Sequence, residues 1–109
     1  MFARNVCVHL KPAMLNDYNK TFANDVLPLL RKQKGFQDEF SFCNPNSLDV
    51  TAISLWDTRE NAELYAKNTF AEVMKLLSKT IDGAPKIRSE EVIHSTFTPR
   101  GNEPVAARA

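Results

Sequence analysis

The spacing of hydrophobic positions switches between two residues and three to four residues along this chain, and each switch marks an element. From Phe2 to Leu10 the period is two. Phe2, Arg4, Val6, Val8 and Leu10 share one face, and Ala3, Asn5, Cys7 and His9 share the other. This predicts a strand, closed by Lys11-Pro12. Over residues 14–34 the period lengthens. Leu15, Tyr18, Phe22, Val26, Leu29 and Leu30 recur as the stripe of an amphipathic helix. Pro28 lies inside this stretch and its ring opposes the carbonyl of Asn24, so a kink is expected there. Lys32 and Lys34 suit the helix C-terminus, and Gly35 can end it in the left-handed conformation.

Residues 36–43 and 48–56 read as two strands joined by the turn Asn44-Pro45-Asn46-Ser47, an antiparallel hairpin. Asp57-Thr58-Arg59-Glu60 then reads as a capping box with Asp57 as the cap. The helix it opens carries Ala62, Tyr65, Ala66, Phe70, Val73, Met74, Leu77 and Ile81 on one stripe, and Asp82-Gly83-Ala84-Pro85 is expected to stop it. Residues 86–97 read as a last strand through Ile87, Val92, Ile93 and Phe97. The folded domain is expected to span 1–97, with 98–109 a flexible tail that lacks a periodic face.

The order βαββαβ predicts an α+β, ferredoxin-like sandwich: an antiparallel sheet with its helices on one face. The other face is then bare. An apolar set such as Phe2, Val6, Val8 and Leu10, with its partners on the other strands, would stand in water. A homodimer packed sheet to sheet is the expected remedy.

Composition narrows the function classes. At 109 residues the chain is one domain with a high surface-to-volume ratio, which favours oligomerisation. The 14 basic and 13 acidic residues leave a net charge of +1, so nothing steers it toward nucleic acid or an anionic membrane. Cys7 and Cys43 fit no CxxC or zinc spacing, and three glycines supply no phosphate loop. No apolar run has membrane-spanning length and the N-terminus lacks a signal stretch, which makes the cytoplasm the expected location.

The run Ser54-Leu55-Trp56-Asp57-Thr58-Arg59-Glu60-Asn61-Ala62 continues through Tyr65, Phe70 and Met74, and Gly35-Phe36 precedes it. Over residues 2–97 this pattern resembles the antibiotic biosynthesis monooxygenase family of dimeric α/β barrels. The resemblance implies a cofactor-independent monooxygenase acting on an aromatic or quinol-type small molecule, with no metal and no bound cofactor. It makes Asn5 and Trp56 the catalytic pair. Asn5 would position a phenolate or dioxygen through its carboxamide, and Trp56 would donate its indole N–H to a substrate oxygen. Tyr65, Phe70, Met74 and His9 would bind the substrate.

Taken as residues alone, Trp56 is also a core anchor, and Tyr65 and Phe70 are also core aromatics. His9 and His94 have no metal or triad partner nearby in sequence. Two other readings stay open: a non-catalytic ligand-binding or stress-responsive dimer, and a haem-degrading monooxygenase. The last comes from the resemblance, whose haem-degrading members carry an iron-ligating histidine on the second helix. Met74 stands at or near that position, and a thioether serves haem iron mostly beside a histidine.

Overall fold

The computed structural model describes residues 1–97, so the proposed tail, 98–109, lies outside the described residues. Four strands form one sheet: β1 (Phe2–Leu10), β2 (Phe36–Asn44), β3 (Asp49–Trp56) and β4 (Ile81–Glu91). Their order is β2-β3-β1-β4, with every neighbouring pair antiparallel. This is the ferredoxin-like arrangement, with the helices on one face. No helix is long and apolar enough to cross a membrane among the described residues.

The first helical stretch is α1 (Leu15–Thr21), a π-turn (Phe22–Val26) and α2 (Leu27–Arg31). The expected kink is thus displaced toward the N-terminus and spread over a turn. Pro28 stands at the start of α2, where its missing N–H does least harm. The widened turn comes just before it, closed by the Leu27 N–H bonding to the Phe22 carbonyl five residues back.

The second stretch is also two helices, α3 (Arg59–Asn68) and α4 (Phe70–Leu77), broken at Thr69. Asparagine followed by threonine is a weak helix pair. The Thr69 hydroxyl instead donates to Gln33 Oε1 at 3.1 Å, tying the break to the end of α2. The cap of α3 is Thr58, not Asp57: Thr58 Oγ1 accepts from the Asn61 amide at 3.1 Å. Asp57 accepts from the Asn61 side chain at 2.8 Å. Its own N–H donates to the Gly35 carbonyl at 2.9 Å.

The last strand starts five residues earlier than the breakers suggest. Ile81, placed on the helix stripe by its spacing, is the first residue of β4 and pairs with Leu10. Asp82, Gly83, Ala84 and Pro85 lie inside the strand, where the pairing with β1 shifts between Cys7 and His9. Gly83 has φ +81°, the left-handed value a bulge of this kind needs. Pro85 is tolerated because β4 is an edge strand. Residues 92–97 carry no strand.

The core lies between the helices and one face of the sheet. Phe2, Val6, Val8 and Leu10 of β1 belong to it, with Val50 and Trp56 of β3 and Tyr18, Val26, Leu30, Ala62, Tyr65, Val73 and Leu77 of the helices. The β1 apolar row expected on the bare face is therefore the covered one. The bare face holds Asn5 and Cys7 of β1, Thr51 and Ile53 of β3, and Phe40 and Phe42 of β2, as the register dictates.

Candidate functional site

A cleft opens between the sheet and the helices. Arg4, Val6 and Val8 of β1, Ala52 and Ser54 of β3, and Glu39 of β2 form its floor. Tyr18, Phe22, Tyr65, Phe70, Val73 and Met74 form its walls and roof. Its empty space is about 450 Å³ with the open mouth included, but the interior void is only about 40 Å³. That holds a few waters, whereas a drug-sized ligand occupies a site of roughly 300 Å³ or more. Occupation by such a molecule requires wall side chains to turn.

The aromatic rings are in contact. Tyr65 and Phe70 meet edge to face at 6.2 Å, and Tyr18 stacks on Phe22 at 5.7 Å. Tyr65 also stacks on Trp56 at 4.9 Å, and Phe36 meets Trp56 edge-on at 5.6 Å. Burial raises the Tyr65 pKa to about 12 and pushes Tyr18 up as well, so both hydroxyls hold their protons at neutral pH.

One cation stands in this apolar setting. Arg4 is 6% exposed, and its Nε and Nη2 have no hydrogen-bond partner among the described residues. Its guanidinium carbon lies 4.7 Å from the Phe70 ring centre and 5.6 Å from that of Tyr65. Burial lowers its pKa, but an arginine this basic stays charged. The register sets Glu39, Ser54, Arg4 and Ser89 in one row across the four strands. Burial pushes the Glu39 carboxyl above its ordinary value, opposed by the hydrogen bond it accepts from Ser41 at 2.5 Å.

The residues singled out by sequence divide three ways. Tyr65, Phe70 and Met74 meet in the cleft. Trp56 is fully buried one layer behind, and its indole N–H is already donated to Ser54 Oγ at 2.9 Å. Asn5 and His9 lie on the opposite face, so Asn5 and Trp56 do not meet within one chain. The reason is the strand period: Asn5 is one step from Arg4, and one step reverses the face. His9 Nδ1 instead lies 3.0 Å from Asp49 Oδ1, a contact that holds the Asp49 carboxyl below its ordinary value.

Arg4, Ser54 and Glu39 were missed as site residues. For Arg4 a signal was present, since a charged residue between Phe2 and Val6 on an apolar strand face calls for a reason.

Haem does not fit this donor set. Among the described residues the cleft lining has one sulfur, Met74, and no histidine; His9 faces away, and His94 is exposed beyond β4. Among the described residues no cluster of three histidine, cysteine or acidic side chains could hold a metal ion.

No family model matches the chain, and no curated protein is similar to it at a significant level. Solved structures do match. A protein of unknown function from Nitrosomonas europaea is 17% identical, with a TM-score of 0.75 over 92% of this chain and 95% of that one. A protein assigned to the antibiotic biosynthesis monooxygenases, from Bordetella bronchiseptica, is 17% identical, with a TM-score of 0.72 over 85% and 97%. A Streptomyces coelicolor monooxygenase in complex with the ligand nanaomycin D is 18% identical, with a TM-score of 0.72 over 88% and 90%. The chain therefore has an antibiotic-biosynthesis-monooxygenase-like, ferredoxin-type fold. At these identities the likeness carries fold and no substrate.

Proposed function

We propose that this chain is a small-molecule oxygenase that oxidises an electron-rich phenol or quinol with dioxygen, without a bound cofactor. The observation that supports it best is the cleft, whose rings and thioether suit a planar aromatic molecule held away from water once wall side chains turn to admit it. A substrate that forms a stabilised anion needs little more than positioning and dry surroundings. It loses its hydroxyl proton, passes one electron to dioxygen, and joins the resulting superoxide at a ring carbon as a hydroperoxide. Loss of water then leaves a quinone. One oxygen atom becomes the new carbonyl and the other leaves in water, so the substrate supplies all four electrons.

We also propose a homodimer through the bare sheet face. Phe40 and Phe42 are 45% and 56% exposed there, with ring centres 6.2 Å apart. A second copy would take both rings out of water.

Oxygen uptake with a panel of naphthols and hydroquinones tests the oxygenase reading. One dioxygen consumed per quinone formed is expected, with kcat/KM for Phe70→Ala reduced by about tenfold or more. Binding of the same compounds without enzyme-dependent uptake would overturn it. That result would favour the second reading, a non-catalytic ligand-binding dimer.

A further inference from the structure

We infer that Arg4 anchors a planar aromatic anion whose charge is shared by two neighbouring oxygens, received side-on by Nε and Nη2. The inference rests on the small-molecule reading of the cleft and adds the ligand class. Three observations lead to it.

The first is the pair of orphaned donors. Nε and Nη2 are buried and unpartnered among the described residues. These two nitrogens form one edge of the guanidinium, and their N–H bonds run parallel. That fork matches two oxygens side by side, as in a carboxylate or in an ionised hydroxyl next to a carbonyl.

The second is how the group is held. The guanidinium carbon lies over both the Phe70 and the Tyr65 ring, which meet edge to face, so the group is held by aromatic contacts that supply no hydrogen-bond acceptor in its plane. The rings therefore hold the group while leaving both N–H donors of the fork without an acceptor, for a ligand to satisfy once the covering side chains turn aside. A molecule flat enough to lie along the aromatic walls would bring its oxygens to that edge.

The third is charge. The only carboxylate in the cleft lining among the described residues is Glu39, which stands across Ser54 in the same row. Two strand spacings separate it from Arg4, about 10 Å. Its carboxyl already accepts from Ser41, and no ion pair joins it to Arg4 among the described residues. Glu63 lines a neighbouring hollow that Arg4 shares with Arg59 and Ser89, and it too makes no ion pair with Arg4 among the described residues, while the cleft walls are too apolar for a compact, strongly hydrated anion.

The test is binding to the full chain at neutral pH. The probes are 2-hydroxy-1,4-naphthoquinone, which is ionised there with its charge beside a carbonyl, and its neutral methyl ether. The wild type is expected to prefer the ion by about tenfold or more, the yield of hydrogen bonds to a charged group. Arg4→Met should reduce that preference below about twofold while still binding the ether, and Arg4→Lys, which keeps the charge but loses the fork, should fall between. Circular dichroism checks that each variant is folded. Equal binding of both probes by the wild type, a preference that survives Arg4→Met, binding of neither probe, or displacement by millimolar inorganic phosphate would each overturn the inference. Turnover plays no part in this measurement. A chain that prefers the ion yet consumes no oxygen would end the oxygenase reading and leave Arg4's role standing.

Discussion

On the helix-covered face of the sheet one row runs Glu39, Ser54, Arg4 and Ser89; on the open face the next row runs Phe40, Ile53, Asn5 and Arg88. Each row contains an arginine, in opposite circumstances. Arg88 is exposed and reaches Glu90 at 3.3 Å. Arg4 is buried with two nitrogens unpartnered. Stability alone would put a charge where Arg88 stands and a hydrophobe where Arg4 stands. The placement of Arg4 is a cost in folding, set against a gain in what the cleft can hold.

Substitutions on the two faces can break or sharpen this contrast. The largest effect belongs to the layer supporting the cleft. Trp56→Ala empties the centre of the aromatic stack and should lose about 3–5 kcal/mol in urea unfolding. A loss under 1 kcal/mol would show that the stack does not depend on it. Next is the open face. Phe40→Glu with Phe42→Glu should convert a dimer to monomers in sedimentation without changing the circular dichroism, because four carboxylates would face one another. A wild type already monomeric at micromolar concentration would remove the sheet-to-sheet pairing.

The same exchange then compares the two arginines directly. Arg4→Met should stabilise the chain by about 1–3 kcal/mol, whereas Arg88→Met should change it by less than about 0.5 kcal/mol. Equal effects would mean that Arg4 is satisfied after all. The smallest effect is a pH slope. The folded Tyr65 has its pKa raised from 10.0 to about 12, so its contribution is complete below pH 10 and lost as pH rises through 12. The stability of wild type relative to Tyr65→Phe should be flat below pH 10 and decline from there to about 12. A flat difference throughout would place that hydroxyl in water.

Hydrophobic period made the topology legible. A period of two survives in β1 and β3, and three- to four-residue steps place Tyr65, Phe70 and Met74 on one wall. Breakers were harder to interpret. Pro28, Gly83 and Pro85 punctuate elements in sequence, yet a π-turn and a bulged edge strand absorb them within elements. Asn5 entered through the family resemblance, and strands disfavour asparagine. The more informative anomaly was its neighbour, a charge on an apolar face. Depth was not legible either: that Trp56 sits behind Tyr65 with its N–H spent on Ser54 depends on ring stacking, which spacing does not encode.

The uneven edges of the sheet bear on how copies of this chain aggregate. Along β4, Pro85, the Gly83 irregularity and the charges of Lys86, Arg88 and Glu90 obstruct an incoming strand. Along β2, no proline interrupts Phe36–Asn44. Its pairing with β3 shifts between Phe36 and Asp38, and Asp38 and Glu39 put charge there, so both edges resist strand addition, β4 through proline as well.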